Sequence, residues 1–121
     1  MTLLRIEHIQ LAMPVGEEDA ARRFYSDVLG MNEVPKPENL AKRGGCWFQT
    51  RDVRVHLGVQ TDFIPATKAH PAFIVDEFDA LCERLDAAGF HCNDDEALIG
   101  FRRTYVSDPF GNRIELMALS D

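Results

Sequence analysis

No run of apolar residues in this chain approaches the ~20 needed to cross a bilayer, and positive charge is in deficit. With 13 Lys+Arg against 20 Asp+Glu the net charge is −7, which argues against nucleic acid or an anionic membrane as partner. The opening residues, Met1-Thr2-Leu3-Leu4-Arg5, lack the basic start, long apolar core and small-residue cleavage site of a secretory signal. Cysteine is scarce: Cys46, Cys82 and Cys92 are odd in number and form no CxxC, so they read as reduced thiols in or near a core. Together these absences make a cytoplasmic location the expectation. Histidine is also sparse, with four in the whole chain.

At 121 residues and 45% hydrophobic, the sequence has the material for one domain, 1–121, with a real core. Leu4 to Ala12 alternates like a strand, and Pro14-Val15-Gly16 breaks it. Glu17-Glu18-Asp19 then places acid where a helix N-terminus favours it. Ala20, Phe24 and Val28, flanked by Ala21, Tyr25 and Leu29, make a helical stripe that Gly30 ends. A short strand follows from Met31 to Val34. Residues 35–45, bounded by prolines and glycines, read as a mobile loop. Cys46 to Thr50 and Val53 to Gln60 form a hairpin across Arg51-Asp52.

After a loop over residues 61–68 the order begins again. His70 to Val75 is a strand, and Asp76 is the expected N-cap of a helix bearing Phe78, Leu81, Cys82, Leu85 and Ala88 and ended by Gly89. Phe90 to Cys92 reads as a short strand, followed by an acidic loop and a longer strand from Phe101 to Ser107. The turn Asp108-Pro109-Phe110-Gly111-Asn112 feeds a last strand, in which Arg113, Glu115 and Met117 lie opposite Ile114, Leu116 and Ala118.

The two halves are copies in register. Gly30 and Gly89 are 59 residues apart, as are His56 and Glu115, and the first strands align as His8-Ile9-Gln10-Leu11 over His70-Pro71-Ala72-Phe73, 62 apart. Such internal duplication predicts an α+β fold of two tandem βαβββ modules, repeats 1–62 and 68–121, with curved mixed sheets enclosing a cavity. Each repeat carries one metal-competent side chain at its first strand (His8, His70) and one at its last (His56, Glu115). If the helices cover the aliphatic faces, all four point into the concavity. Imidazoles with one carboxylate suit Zn²⁺, Ni²⁺, Fe²⁺, Co²⁺ or Mn²⁺. Arg54 and Arg103 are candidates to pair with an anionic substrate, and Trp47, Phe48 and Tyr105 to wall the pocket. His91 reads as surface.

Ile6-Glu7-His8-Ile9, Phe24-Tyr25-Ser26-Asp27-Val28-Leu29-Gly30-Met31, His70-Pro71-Ala72-Phe73 and Asp108-Pro109-Phe110-Gly111-Asn112-Arg113-Ile114-Glu115 together resemble the vicinal oxygen chelate superfamily, which includes glyoxalase I, fosfomycin-resistance enzymes, extradiol dioxygenases and bleomycin-resistance proteins. The resemblance implies a homodimer with its sites at or across the subunit interface. It also implies a divalent metal held by His8, His70 and Glu115. His56 stands where some members carry a fourth ligand, commonly Glu or Gln, and Gln10 stands where fosfomycin-resistance enzymes typically carry Thr. The activity it implies is that of a metal-dependent lyase or isomerase of glyoxalase type. Such an enzyme takes a small carbonyl or hydroxy-carbonyl compound through an enediolate, with Glu115 as the base. The alternatives are a small-molecule binding protein of bleomycin-resistance type without catalysis, a small extradiol-type dioxygenase, or a metal that only staples the dimer.

Overall fold

The computed structural model describes residues 1–120. Chain contacts divide it into two compact units, Met1–Phe63 and a second beginning at Ile64.

In the first unit, β1 (Ile9–Met13) leads to α1 (Glu18–Ala21), which continues as a π-helical segment, Arg22–Val28. The i→i+5 bond from Leu29 N to Phe24 O, 2.9 Å, belongs to this wider winding. It turns Phe24 and Tyr25, neighbours in sequence, into the core together, and both are fully buried. Gly30 closes the segment at φ +78, the left-handed C-terminal stop that only glycine adopts without strain. β2 (Asn32–Val34), α2 (Glu38–Ala41), β3 (Cys46–Thr50) and β4 (Val53–Val59) follow. The sheet order is β1-β4-β3-β2, with β1 parallel to β4 and the other pairs antiparallel.

The second unit repeats the plan with β5 (Ala72–Ile74), α3 (Phe78–Ala87), β6 (Phe101–Ser107) and β7 (Arg113–Leu119) in the order β5-β7-β6. β5 runs parallel to β7 as β1 does to β4. The register carries the duplication residue by residue: Gln10 lies beside His56 in one sheet and Ala72 beside Glu115 in the other. The fold is therefore α+β, two mixed sheets in βαβββ-like modules. Among the described residues no helix is long and apolar enough to cross a membrane.

Several boundaries differ from the sequence expectation. β1 begins at Ile9 rather than Leu4 because its partner runs out: with Ile9 beside Val55, any residue before Glu7 would pair beyond Val53, where β4 begins. Leu3, Leu4 and Ile6 are accordingly exposed. β5 begins at Ala72 rather than His70 because Pro71 has no N–H to give the ladder, and only its carbonyl bonds, accepting from Glu115 N at 3.0 Å. The expected strand Phe90–Cys92 is absent and shrinks to one bridge between Asn93 and Tyr105, where Asn93-Asp94-Asp95 supply poor strand formers. Asp76 is not the N-cap of α3. That place belongs to Glu77, at φ 48 with no side-chain cap, and Asp79 pairs instead with Arg102. The 35–45 loop is tied rather than loose: it holds α2, Lys36 Nζ donates to Gly44 O, and Gly45 N donates to Glu18 Oε2 at 2.9 Å.

Candidate functional site

Alternation sorts each sheet into two faces. In the first unit Phe48, Val55 and Leu57 are fully buried on the helix side, with Phe48 stacked on Tyr25 at 5.4 Å. Phe48 is thus core, and it does not join the site residues of sequence reasoning. The other face carries Trp47, Arg54 and His56. His56 lies between two flat neighbours, the His8 ring at 4.0 Å and the Trp47 indole at 3.9 Å. Burial, and then the proximity of His8, push its pKa down, so the ring stays neutral with a lone pair to offer a metal.

Glu7, His8 and His56 bring ligand atoms within 4.8 Å of one another, and Glu7 also holds Arg54, carboxylate to guanidinium at 3.5 Å. Glu7 escaped the sequence reading because strand alternation puts neighbours on opposite faces. His8 and Glu7 precede β1, where alternation no longer applies.

In the second unit the face away from the buried Ile114 and Leu116 carries Arg103, Tyr105, Arg113, Glu115 and Met117. Glu115 is buried and accepts from three sides. His70 Nε2 lies 3.0 Å from Oε1, the Tyr105 hydroxyl donates to Oε1 at 3.3 Å, and Arg103 donates to Oε2 at 3.4 Å. Arg103 is itself fixed, since its Nε and Nη2 both donate to Glu96 O and its Nη1 donates to Tyr105 at 2.8 Å. Burial pushes the Glu115 carboxyl up, but the bonds from His70, Arg103 and Tyr105 outweigh it and hold the group below its ordinary value.

His70 Nδ1 lies 2.8 Å from Lys68 O, an acceptor that fixes the proton on that nitrogen. Nε2 therefore faces the Glu115 carboxylate, 3.0 Å away, and the space between the two atoms takes either a proton that His70 donates or, in its place, a metal ion. A backbone carbonyl that locks the far nitrogen is the usual support of a histidine ligand. The spacing fits as well: donors 3.0 Å apart are neighbouring ligands of one ion at ~2.1 Å, subtending about a right angle. Sequence reasoning named His70 and Glu115 but not Lys68, whose contribution is a carbonyl that every residue type has.

The four expected ligands thus fall in two pairs, His8 with His56 in the first unit and His70 with Glu115 in the second. Arg103 and Tyr105 join the second pair. Arg54 and Trp47 join the first, and His91 lies on the surface paired with Asp86 at 2.7 Å.

A sequence profile described as Glyoxalase/Bleomycin resistance protein/Dioxygenase superfamily matches residues 5–116. Among solved structures, a glyoxalase family protein from Bacillus anthracis is 48% identical, with a TM-score of 0.94 over 99% of this chain and 98% of that one. The fold is shared at lower identity by the fosfomycin resistance protein FosX from Listeria monocytogenes, at 18% and TM-score 0.77 over 98% and 96% of the two chains. It is shared too by TnmS3, an antibiotic binding protein from Streptomyces sp. CB03234, at 22% and TM-score 0.74 over 99% of each. No match emerges among curated protein sequences.

Proposed function

From the premise that the chain belongs to the Glyoxalase/Bleomycin resistance protein/Dioxygenase superfamily, we propose that it is a divalent-metal-dependent enzyme of glyoxalase type. It acts as a lyase or isomerase on a small carbonyl or hydroxy-carbonyl compound and works as a homodimer. The observation that carries this reading is His70, whose Nδ1 is anchored on Lys68 O while Nε2 faces the buried Glu115 carboxylate. His8, His56, His70 and Glu115 are the proposed ligands of Zn²⁺, Ni²⁺, Fe²⁺, Co²⁺ or Mn²⁺, and the right-angle spacing of the last two supports an ion that takes more than four ligands. When bound, the ion supplies Lewis acidity to a substrate carbonyl and makes the neighbouring C–H acidic.

The chain's own residues do the rest. Glu115 takes the proton from carbon at a carboxylate oxygen and returns it at the neighbouring carbon. Arg103 and Tyr105 hold that carboxylate in place and keep its basic form ready at neutral pH. Arg54, Trp47 and the His56 ring offer the flat, cationic wall of the first unit to the substrate.

Elemental mass spectrometry on untagged protein beside Glu115→Gln tests the reading, followed by turnover of small α-hydroxy carbonyls and catechols. About one metal ion per chain, lost in the variant, with turnover of a hydroxy carbonyl is the expected result. Turnover of catechols with Fe²⁺ alone would point to the dioxygenase reading. No metal after reconstitution with each ion would overturn the proposal in favour of a ligand-binding protein without catalysis.

A further inference from the structure

Four of the chain's ten arginines are held by close hydrogen bonds or ion pairs. Arg22 is held by Asp19 and Glu33, Arg54 by Glu7, Arg102 by Asp79, and Arg103 by Glu96 O, Tyr105 and Glu115. Arg113 is different. Its guanidinium carbon lies over the Tyr105 ring, 3.9 Å from the centroid, and its side chain is 30% exposed. Among the described residues the acidic group near it is Asp95, 3.9 Å away and outside hydrogen-bond range. The ring holds the guanidinium in place, and the ion pair with Asp95 is a loose one.

Arg113 stands in the wall of a cavity of about 570 Å³ lined also by Pro65, Asn93, Asp94, Asp95 and Tyr105. The cavity belongs to the face of the second unit that carries Glu115. Arg113 sits two residues before Glu115 on β7, an advance of ~7 Å along a strand, and Tyr105 touches both, its ring under Arg113 and its hydroxyl on Glu115.

We propose that this cavity is the carboxylate subsite of the enzyme: the substrate is a small organic acid whose terminal carboxylate is taken in two parallel hydrogen bonds by Arg113. Its carbonyl end then lies three or four bonds away at Glu115. The inference rests on the metal-site reading given above and adds the substrate class to it. A planar, delocalised guanidinium already stacked on an aromatic ring matches a carboxylate fork and loses little freedom on binding. Asp94 and Asp95 beside it select against phosphate, whose second negative charge they repel.

The test uses a matched pair of five-carbon probes, 2-oxoglutarate and 2-oxopentanoate, which differ only in the terminal carboxylate. Calorimetry on Mn²⁺-loaded protein should show 2-oxoglutarate bound about 10-fold tighter or more, a preference that Arg113→Gln abolishes and Arg113→Lys only partly keeps. Asp95→Asn should strengthen it about two-fold or more, a gain that misfolding cannot imitate. Equal affinity for the two probes, or a preference that survives Arg113→Gln, would overturn the proposal and leave the metal site standing.

In chelator-treated protein, glutarate should shift the Tyr105 ring resonances of the wild type and not of Arg113→Gln. If that holds while no metal binds at all, the carboxylate subsite stands and the metal reading falls. Inorganic phosphate bound more tightly than glutarate would also overturn the assignment.

Discussion

Glu115 is pulled in two directions, and the balance decides what pH does to it. Burial alone would raise its pKa, yet the bonds from His70, Arg103 and Tyr105 leave it below the ordinary value. A carboxyl whose folded pKa is depressed binds fewer protons folded than unfolded. Its stabilisation is therefore complete above the unfolded pKa of ~4.3 and is lost as pH falls toward the folded value. Glu115→Gln cannot titrate. The difference in urea midpoint between the wild type and this variant, measured with chelator present, should shrink as pH falls through the carboxylate range. A difference that stays constant across that range would contradict the direction of the shift. The same logic applies to thiols: burial pushes the Cys46 thiol up to about 11, so the native protein holds almost none of its thiolate at neutral pH. Cys46 should resist iodoacetamide in the folded protein and react at an ordinary rate once urea unfolds it. Peptide mass mapping of the alkylated sites reads this directly.

Elements were legible where one local rule governed them. β3 and β6 appear over the expected residues, Cys46–Thr50 and Phe101–Ser107, because alternation and flanking turns agree. The start of β1 was not legible, since it depends on where a partner strand begins, whereas the start of β5 was written in the sequence at Pro71, which cannot donate to a ladder. The same division separates the site residues. His70 and Glu115 stood out through the repeat, whereas Glu7, Lys68 and Arg113 matter through contacts that only the folded chain makes. Phe48, one of several candidates with aromatic chemistry, went to the core because the helix covers its face.

The turn before β7 shows the element scale at its most specific. Asp108 Oδ1 accepts from Phe110 N at 2.9 Å and Asn112 N at 2.8 Å, and Oδ2 accepts from Asn112 Nδ2 at 2.8 Å. Gly111 sits at φ +90, and a Cβ there would meet Pro65 Cγ at 3.1 Å, so this position needs glycine on two counts. Asp108 and Asn112 are both buried, and removing the carboxylate takes the acceptor from three N–H groups at once. Asp108→Ala should cost ~2–3 kcal/mol in urea unfolding. A loss below ~0.5 kcal/mol, the usual range of surface substitutions, would show that the turn holds without it.

For the whole molecule the apolar segment before β1 sets the terms of association. Leu3, Leu4 and Ile6 are 91%, 89% and 72% exposed. They adjoin β1, which among the described residues pairs with β4 alone and so is an edge strand of its sheet. An exposed apolar segment beside an open edge is an association hazard in a monomer and is at home in an interface. A net charge of −7 spreads repulsion between chains, so any association must rest on local apolar contact rather than on attraction between whole molecules. These are the physical terms in which the proposed homodimer makes sense. Sedimentation velocity at micromolar concentration should give twice the chain mass of 13.7 kDa. Leu4→Asp combined with Ile6→Asp should return it to a single chain mass, with the far-UV circular dichroism unchanged because neither residue lies in a strand or helix. A wild type that sediments as a single chain would remove the dimer from the account. A double variant that stays dimeric would move the interface elsewhere on the surface.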